Sequence, residues 1–100
     1  MQFDDPVEAL AAKVRHCIEN NLGEDLVTCL KAADNYLSDR TDLMFNAYFA
    51  AGEYTAAKDD PDNSLLYFNK AKKYNPRTIV VFDKIIDSLV SFYSLYKIQF

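Results

Sequence analysis

The stretch YFAAGEYTAAKDDPDNSLLYFNKAKKYNP, residues 48–76, decides the fold. Its apolar residues recur at helical spacing on both sides of the break at Asp60-Pro61. An aspartate can cap the free N–H groups of a helix and a proline suits the first helical position, so a helix begins there. Pro76 ends that helix, because the residue before a proline avoids the helical region. The stretch therefore predicts two antiparallel helices joined by a short turn.

The same signals divide the rest of the chain. Asp5-Pro6 repeats the helix start, and Asn20-Asn21 followed by Gly23 is typical of a helix end. Glycine and proline are scarce, with 2 and 3 residues, which argues against the many turns of an all-β fold. We therefore predict an all-α chain of antiparallel helical hairpins, a single domain over 1–100. Its parts are a first hairpin over 6–38, a second over 42–75 and an apolar C-terminal helix over 77–99.

The second hairpin has small and aromatic residues at a characteristic spacing. When the pattern is anchored on its last proline, it runs without a gap through Tyr48, Gly52, Phe68, Ala71 and Pro76. This pattern resembles a tetratricopeptide repeat, the 34-residue helix–turn–helix unit. Small residues at these positions let two helices approach closely, and aromatic rings fill the space beside them. Ala51, Thr55 and Ser64 depart from the usual Leu, Tyr and Ala.

The first hairpin resembles a degenerate copy of the same unit, about 38 residues earlier. Leu10, Leu30 and Ala33 take the aromatic, Phe and Ala positions, while Val14 and Ser38 replace the Gly and the Pro. The resemblance implies a right-handed superhelix of about two repeats, with the C-terminal helix covering the end of the stack. An unrelated bundle of four or five helices is the alternative fold.

The resemblance also implies a function. Tetratricopeptide repeats are protein-binding scaffolds that hold a peptide or helix in a groove lined by the first helix of each unit. By this likeness the groove residues of the second hairpin are Asn46, Phe49 and Glu53. Members that clamp a carboxylate tail use Lys, Arg and Asn there, so we expect an apolar or basic partner segment rather than an acidic tail. Alternatively, Phe49 belongs to the core.

The C-terminal helix is apolar nearly all round. A helix with so narrow a polar face is buried on several sides, and the earlier helices are too few to enclose it. Exposed apolar area of this kind marks an interface. We expect a contact with another protein or with a second copy through Phe82, Ile86, Leu89, Phe92, Tyr93 and Tyr96. The final residues, Ile98-Gln99-Phe100, would equally suit a fragment of a longer array.

Composition argues against several functional classes. The net charge of −4 lacks the basic footprint of a nucleic-acid-binding protein. No apolar run reaches the ~18 residues that span a bilayer, and no basic start followed by an apolar run marks a signal peptide. Two cysteines do not make a disulfide framework. We therefore expect a cytoplasmic protein with no nucleic-acid partner and no membrane span.

The chemistry-bearing residues form no recognisable active site. His16, the single histidine, points about 100° away from Cys17 on a helix, so the two are not a base and a nucleophile. No CxxC or HxxxH spacing indicates a metal site. The acidic turn 59–62 lacks the glycine and glutamate of a calcium loop and is better explained as helix caps. We expect no enzymatic activity, no metal and no cofactor.

Cys17 and Cys29 lie six residues on either side of Gly23, so an antiparallel hairpin brings them to similar height. A disulfide is geometrically conceivable, but burial as small apolar residues is the favoured interpretation.

Two hypotheses for function follow. The leading one is a non-enzymatic interaction module, a small adaptor or chaperone that binds an apolar or amphipathic segment of a partner protein. The alternative is a structural homo-oligomer assembled through the C-terminal helix, with no ligand in the groove.

Overall fold

The computed structural model describes residues 5–96, except for the side chains of Phe92, Leu95 and Tyr96. The described backbone forms five α-helices and no strand, which confirms the predicted all-α class. In chain order the helices are α1 Pro6–Glu19, α2 Gly23–Tyr36, α3 Thr41–Ala57, α4 Pro61–Tyr74 and α5 Ile79–Tyr96. The part of the predicted C-terminal helix beyond Tyr96 lies outside the described residues.

Both predicted proline starts are capped as expected. The Asp5 carboxylate accepts a hydrogen bond from the backbone N–H of Val7 at 2.9 Å. The Asp60 carboxylate accepts one from the backbone N–H of Asn63 at 3.2 Å. Each contact satisfies an N–H group that the first turn of a helix leaves without an intrahelical acceptor. The interpretation of the acidic turn as a helix cap is therefore confirmed at Asp60.

The turns and the second helices of the two hairpins correspond at a spacing of 38 residues. Helices α2 and α4 both contain 14 residues, and α4 begins and ends 38 residues after α2. The turns that precede them contain left-handed residues at equivalent places, Asn21 with φ 55° and Asp59 with φ 56°. Asn and Asp adopt this conformation more readily than other residues with a side chain. The turn and second helix of the first hairpin therefore correspond to those of the second, whereas α1 has 14 residues and α3 has 17.

Helix α3 is the centre of the molecule and packs against α1, α2 and α4. It approaches α4 closely at Gly52, where an added Cβ would lie 2.6 Å from a ring carbon of the buried Phe68. The ring of Tyr48 stacks on Tyr74 at 6.0 Å, and Ala71 is fully buried between the helices. Four of the five repeat-signature residues thus lie in this packing layer, while Pro76 is exposed in the connection to α5.

A polar contact joins the first hairpin to the second. The Tyr74 hydroxyl on α4 donates a hydrogen bond to the Asp34 carboxylate on α2, and Lys70 Nζ lies 3.7 Å from the same carboxylate. The hydrogen bond from Tyr74 lowers the pKa of Asp34 below its usual value, although partial burial opposes this. Burial and the contact with Asp34 raise the pKa of Tyr74 to about 12. The carboxylate therefore stays ionised and ties the two hairpins together.

The cysteines belong to the core. Cys17 and Cys29 are both buried and both free, which confirms the interpretation as small apolar residues. The Cys29 thiol donates to the carbonyl oxygen of Leu26 at 3.2 Å, and burial raises its pKa. His16 is exposed, as the sequence predicts.

Candidate protein-binding surfaces

The described side chains of α5 pack against α4 through one face of the helix. Val81 and Ser88 are the buried residues of that face, and Ile85 and Leu89 are partly buried beside them. The Ser64 hydroxyl on α4 donates a hydrogen bond to the Ser88 hydroxyl at 3.0 Å. Ser88 in turn donates to the carbonyl oxygen of Lys84 at 3.0 Å. The contact between α4 and α5 is therefore formed by small and polar side chains at its centre.

Among the described residues, an ion pair joins α5 to α3. Lys84 Nζ lies 3.6 Å from the Glu53 carboxylate, and the two side chains are 37% and 51% exposed. A pair of this kind contributes little to stability, since solvent screens the charges. It does place the first third of α5 beside the C-terminal third of α3.

A row of large apolar side chains is exposed on α5. The exposed fractions are 75% for Ile79, 42% for Phe82, 57% for Ile86, 60% for Val90 and 37% for Tyr93. These residues follow one another at steps of three, four, four and three, so they share one side of a helix with 3.6 residues per turn. We refer to these five residues as the α5 row. At one end, Lys72 Nζ of α4 lies 5.0 Å from the centroid of the Phe82 ring.

The α5 row overlaps only in part with the interface residues predicted from sequence. Phe82, Ile86 and Tyr93 are exposed in the row, whereas Leu89 is partly buried. The side chains of Phe92 and Tyr96 lie outside the described residues. Ile79 and Val90 are exposed members of the row that the prediction did not select. Ile79 lies three residues before Phe82 and Val90 lies four residues after Ile86, and this spacing indicates a common helix face. The face was not recognised because the sequence of α5 is apolar almost throughout.

The three predicted groove residues lie on α3 in different surroundings. Phe49 is partly buried, with its ring edge-on to Phe68 at 5.5 Å and stacked with Phe45 at 5.8 Å. Asn46 is exposed and lines a cleft of about 700 Å³ between α1 and the start of α3. Glu53 borders a separate cleft and pairs with Lys84. The three residues therefore do not form one common pocket.

The cleft beside Glu53 is small and acidic. It has a volume of about 160 Å³ and lies between α3, α4 and α5. Asp59, Asp60 and Asp87 line it together with Glu53, and Lys84 is the basic residue among the described residues of its lining. Across the described part of the chain, no group of three or more His, Cys, Asp or Glu side chains is placed to hold a metal ion.

None of the helices in residues 5–96 combines the length and the apolar character needed to cross a membrane.

Comparisons of the chain with protein-family models, with curated proteins and with solved structures found no match. The likeness of the second hairpin to a tetratricopeptide repeat therefore stays a prediction from sequence. The geometry of α3, α4 and α5 is the basis for a functional hypothesis.

Proposed function

We propose that this chain is a non-enzymatic protein–protein interaction module, a small adaptor or chaperone that binds an apolar or amphipathic segment of another protein. The observation that carries the proposal is the α5 row, in which five large apolar side chains are between 37% and 75% exposed. Single exposed apolar residues are ordinary on protein surfaces, but a contiguous line of them is typical of a contact site. A helix with a matching apolar stripe would fit such a line.

The scaffold we propose is a right-handed superhelix of about two tetratricopeptide-like repeats followed by α5. The 38-residue correspondence between the two hairpins supports a repeat. The close approach of Gly52 to Phe68 supports the tetratricopeptide type, because the repeat pattern needs a small residue against an aromatic ring at those positions. Stacked hairpins of this kind leave the last helix with an uncovered face, which suits the position of the α5 row.

The face of α3 provides a second, weaker candidate surface. Asn46 is exposed beside α1, and the cleft there also contains Ile18 and Leu43, which are partly buried. Phe49 contributes chiefly to packing on Phe68, so we assign it a supporting role in the groove rather than the main contact. The free, buried thiols of Cys17 and Cys29 support a reducing, cytoplasmic setting for the module.

The proposal can be tested with a defined amphipathic probe. We suggest a fluorescent synthetic peptide of 18 residues, the length of α5, with leucines on one helical face and balanced Glu and Lys on the other. Fluorescence anisotropy would measure its affinity at an ionic strength that screens exposed charges. We expect Ile86→Asp to weaken binding by at least about tenfold, because it places a charge within the apolar contact.

A matched control lies on the same helix. Ser94 is exposed and is not a member of the α5 row. Ser94→Asp therefore adds the same charge to the helix without replacing an apolar side chain of the row. This variant should bind the probe like the wild type. Equal affinities for Ile86→Asp and Ser94→Asp, or no binding of the probe to the wild type, would contradict the proposed function.

A further inference from the structure

Among the side chains that the structure describes, the α5 row is symmetric about its central residue. Ile79 and Tyr93 each lie seven residues from Ile86, and Phe82 and Val90 each lie four residues from it. Consider two antiparallel helices related by a two-fold axis that passes between them at a central residue. A residue a given number of positions before the centre of one helix then lies opposite the residue the same number of positions after the centre of the other helix. A row with this spacing is therefore complementary to itself when one helix is reversed. Such a row can form an isologous contact, in which the same surface of two identical chains meets.

We propose that two copies of this chain pair through their α5 rows, with the helices antiparallel and the two-fold axis at Ile86. This inference rests on the proposed role of the row as a protein-binding surface, and it names the partner as a second copy. The two Ile86 side chains meet at the axis. Phe82 of each copy lies opposite Val90 of the other, and Ile79 lies opposite Tyr93.

The sizes of the opposed side chains favour this register. The largest side chains of the row, Phe82 and Tyr93, are each placed opposite a smaller one, Val90 and Ile79. Alternation of large and small side chains across a helix contact permits close packing at a constant distance between the axes. A parallel arrangement in register would place Phe82 against Phe82 and Val90 against Val90. That arrangement leaves gaps beside the valines.

The exposed area is sufficient for a dimer of modest affinity. With about half of each side chain accessible, the five residues offer roughly 100 Å² each. Two rows together would remove about 1,000 Å² from water, which is near the smallest area of a specific protein interface. We therefore expect an equilibrium between monomer and dimer rather than a permanent dimer.

A head-to-tail contact is the competing arrangement. The other end of the molecule has an apolar cleft of about 470 Å³ formed by Pro6, Val7, Leu10, Ala32 and Tyr36. If the α5 row of one copy occupied this cleft on the next, association would not close and the mass would continue to grow with concentration. The symmetry of the row has no role in that arrangement.

Light scattering coupled to size-exclusion chromatography, across a range of concentrations, tests the closed dimer. We expect the wild-type mass to rise with concentration and to stop at twice the chain mass of 11.4 kDa. Ile86→Asp places two carboxylates at the axis and should raise the dimer dissociation constant by at least about 30-fold, the effect of an interface hot spot. Ser94→Asp should leave it unchanged. A mass that keeps rising would indicate head-to-tail growth and overturn the proposal.

Cysteine cross-linking tests the register with a milder substitution. Ile86→Cys should form a disulfide-linked dimer under copper–phenanthroline oxidation, because the two residues meet at the axis. Ile79→Cys should not link to itself, since two such residues would be about 21 Å apart along the helices. A mixture of Ile79→Cys with Tyr93→Cys should link. The wild type controls for Cys17 and Cys29, which are buried.

The outcomes separate this proposal from the proposed function. Cross-linking of Ile79→Cys with itself would indicate parallel helices and overturn the antiparallel register. A monomer at every concentration would overturn the second copy as partner. In that case, weaker binding of the amphipathic probe to Ile86→Asp than to the wild type would still support the row as a binding surface. A monomer that also fails to bind the probe would contradict both.

Discussion

The contact of α3 with α4 and the contact of α4 with α5 differ in chemistry although α4 takes part in both. In the first contact, Gly52 packs against the ring of Phe68, and the rings of Tyr48 and Tyr74 stack on each other. The second has a Ser64–Ser88 hydrogen bond at its centre and an exposed apolar row on its outer side. Between α3 and α4 the large apolar side chains therefore stabilise the fold, whereas several large apolar side chains of α5 are exposed to solvent.

This difference indicates a division of roles along the chain. Side chains that fill the space between α3 and α4 are buried, so their removal must cost folding free energy. Side chains of the α5 row are partly in water, so their removal should affect association more than folding. Four predictions test this division, from the largest expected effect to the smallest.

Phe68→Ala should cause the largest loss. The ring is fully buried against Gly52 and Phe49, so its deletion should lower the free energy of unfolding by about 3–5 kcal/mol. Ile86→Ala, a truncation in the exposed row, should change the unfolding of the monomer by less than about 1 kcal/mol. Urea unfolding followed by circular dichroism at low protein concentration would measure both. Similar losses in the two variants would contradict the division.

Gly52→Ala should cause an intermediate loss. The added Cβ would lie 2.6 Å from the Phe68 ring, which is enclosed and cannot move freely, so we expect a loss of about 1–3 kcal/mol. Gly23→Ala creates a second close approach, because its Cβ would lie 2.1 Å from a ring carbon of Tyr54. Thermal unfolding should therefore show a loss in both variants relative to the wild type. An unchanged unfolding temperature in Gly52→Ala would show that the ring of Phe68 yields easily and that α3 and α4 pack loosely.

The serine pair tests the contact between α4 and α5. Ser88→Ala removes a buried hydrogen bond and should cost about 1 kcal/mol, with Ser64→Ala costing a similar amount. The double substitution should cost little more than either single one, because both remove the same bond. Amide hydrogen exchange within α5 would report the loss locally. Fully additive losses would mean that the two hydroxyls act independently.

The contact between Asp34 and Tyr74 predicts that the free energy of unfolding depends slightly on pH in the acidic range. The hydrogen bond from Tyr74 holds the folded-state pKa of Asp34 below the ordinary value of 3.8. The ionised Asp34 carboxylate therefore contributes fully to stability when the pH is above its ordinary pKa. This contribution is lost as the pH falls through the lower folded-state pKa. Asp34→Asn should make the acid dependence of the unfolding free energy shallower than in the wild type. An unchanged slope would show that the carboxylate does not tie α2 to α4.

Local signals were enough to predict the helices and several of their contacts. Asp60 and Pro61 mark a helix start through interactions within three residues, and the structure places a cap there. The left-handed turn at Asn21 was also indicated by its own residue type. Gly52 and Phe68 could be paired in advance because the repeat pattern specifies both positions. In each case the information is contained in a short segment or in one known spacing.

The surface residues were harder to predict for a physical reason. Leu89 and Ile86 have the same apolar character and lie three residues apart, yet Leu89 is partly buried and Ile86 is exposed. Phe49 was expected either in the groove or in the core, and its contacts with Phe45 and Phe68 depend on where α4 lies. The pairing of Glu53 with Lys84 joins residues on different helices and leaves no local signal.

The sequence by itself determined that this chain is helical, where most of its helices begin and end, and that α5 is too apolar to be exposed on all sides. Those properties depend on caps, prolines and periodicity, which act over a few residues. Only the tertiary structure decided which side of α5 meets α4 and which side carries the exposed row. That choice depends on residues distant in sequence, Ser64 with Ser88 and Glu53 with Lys84, because the apolar sequence of α5 allows several of its faces to be buried.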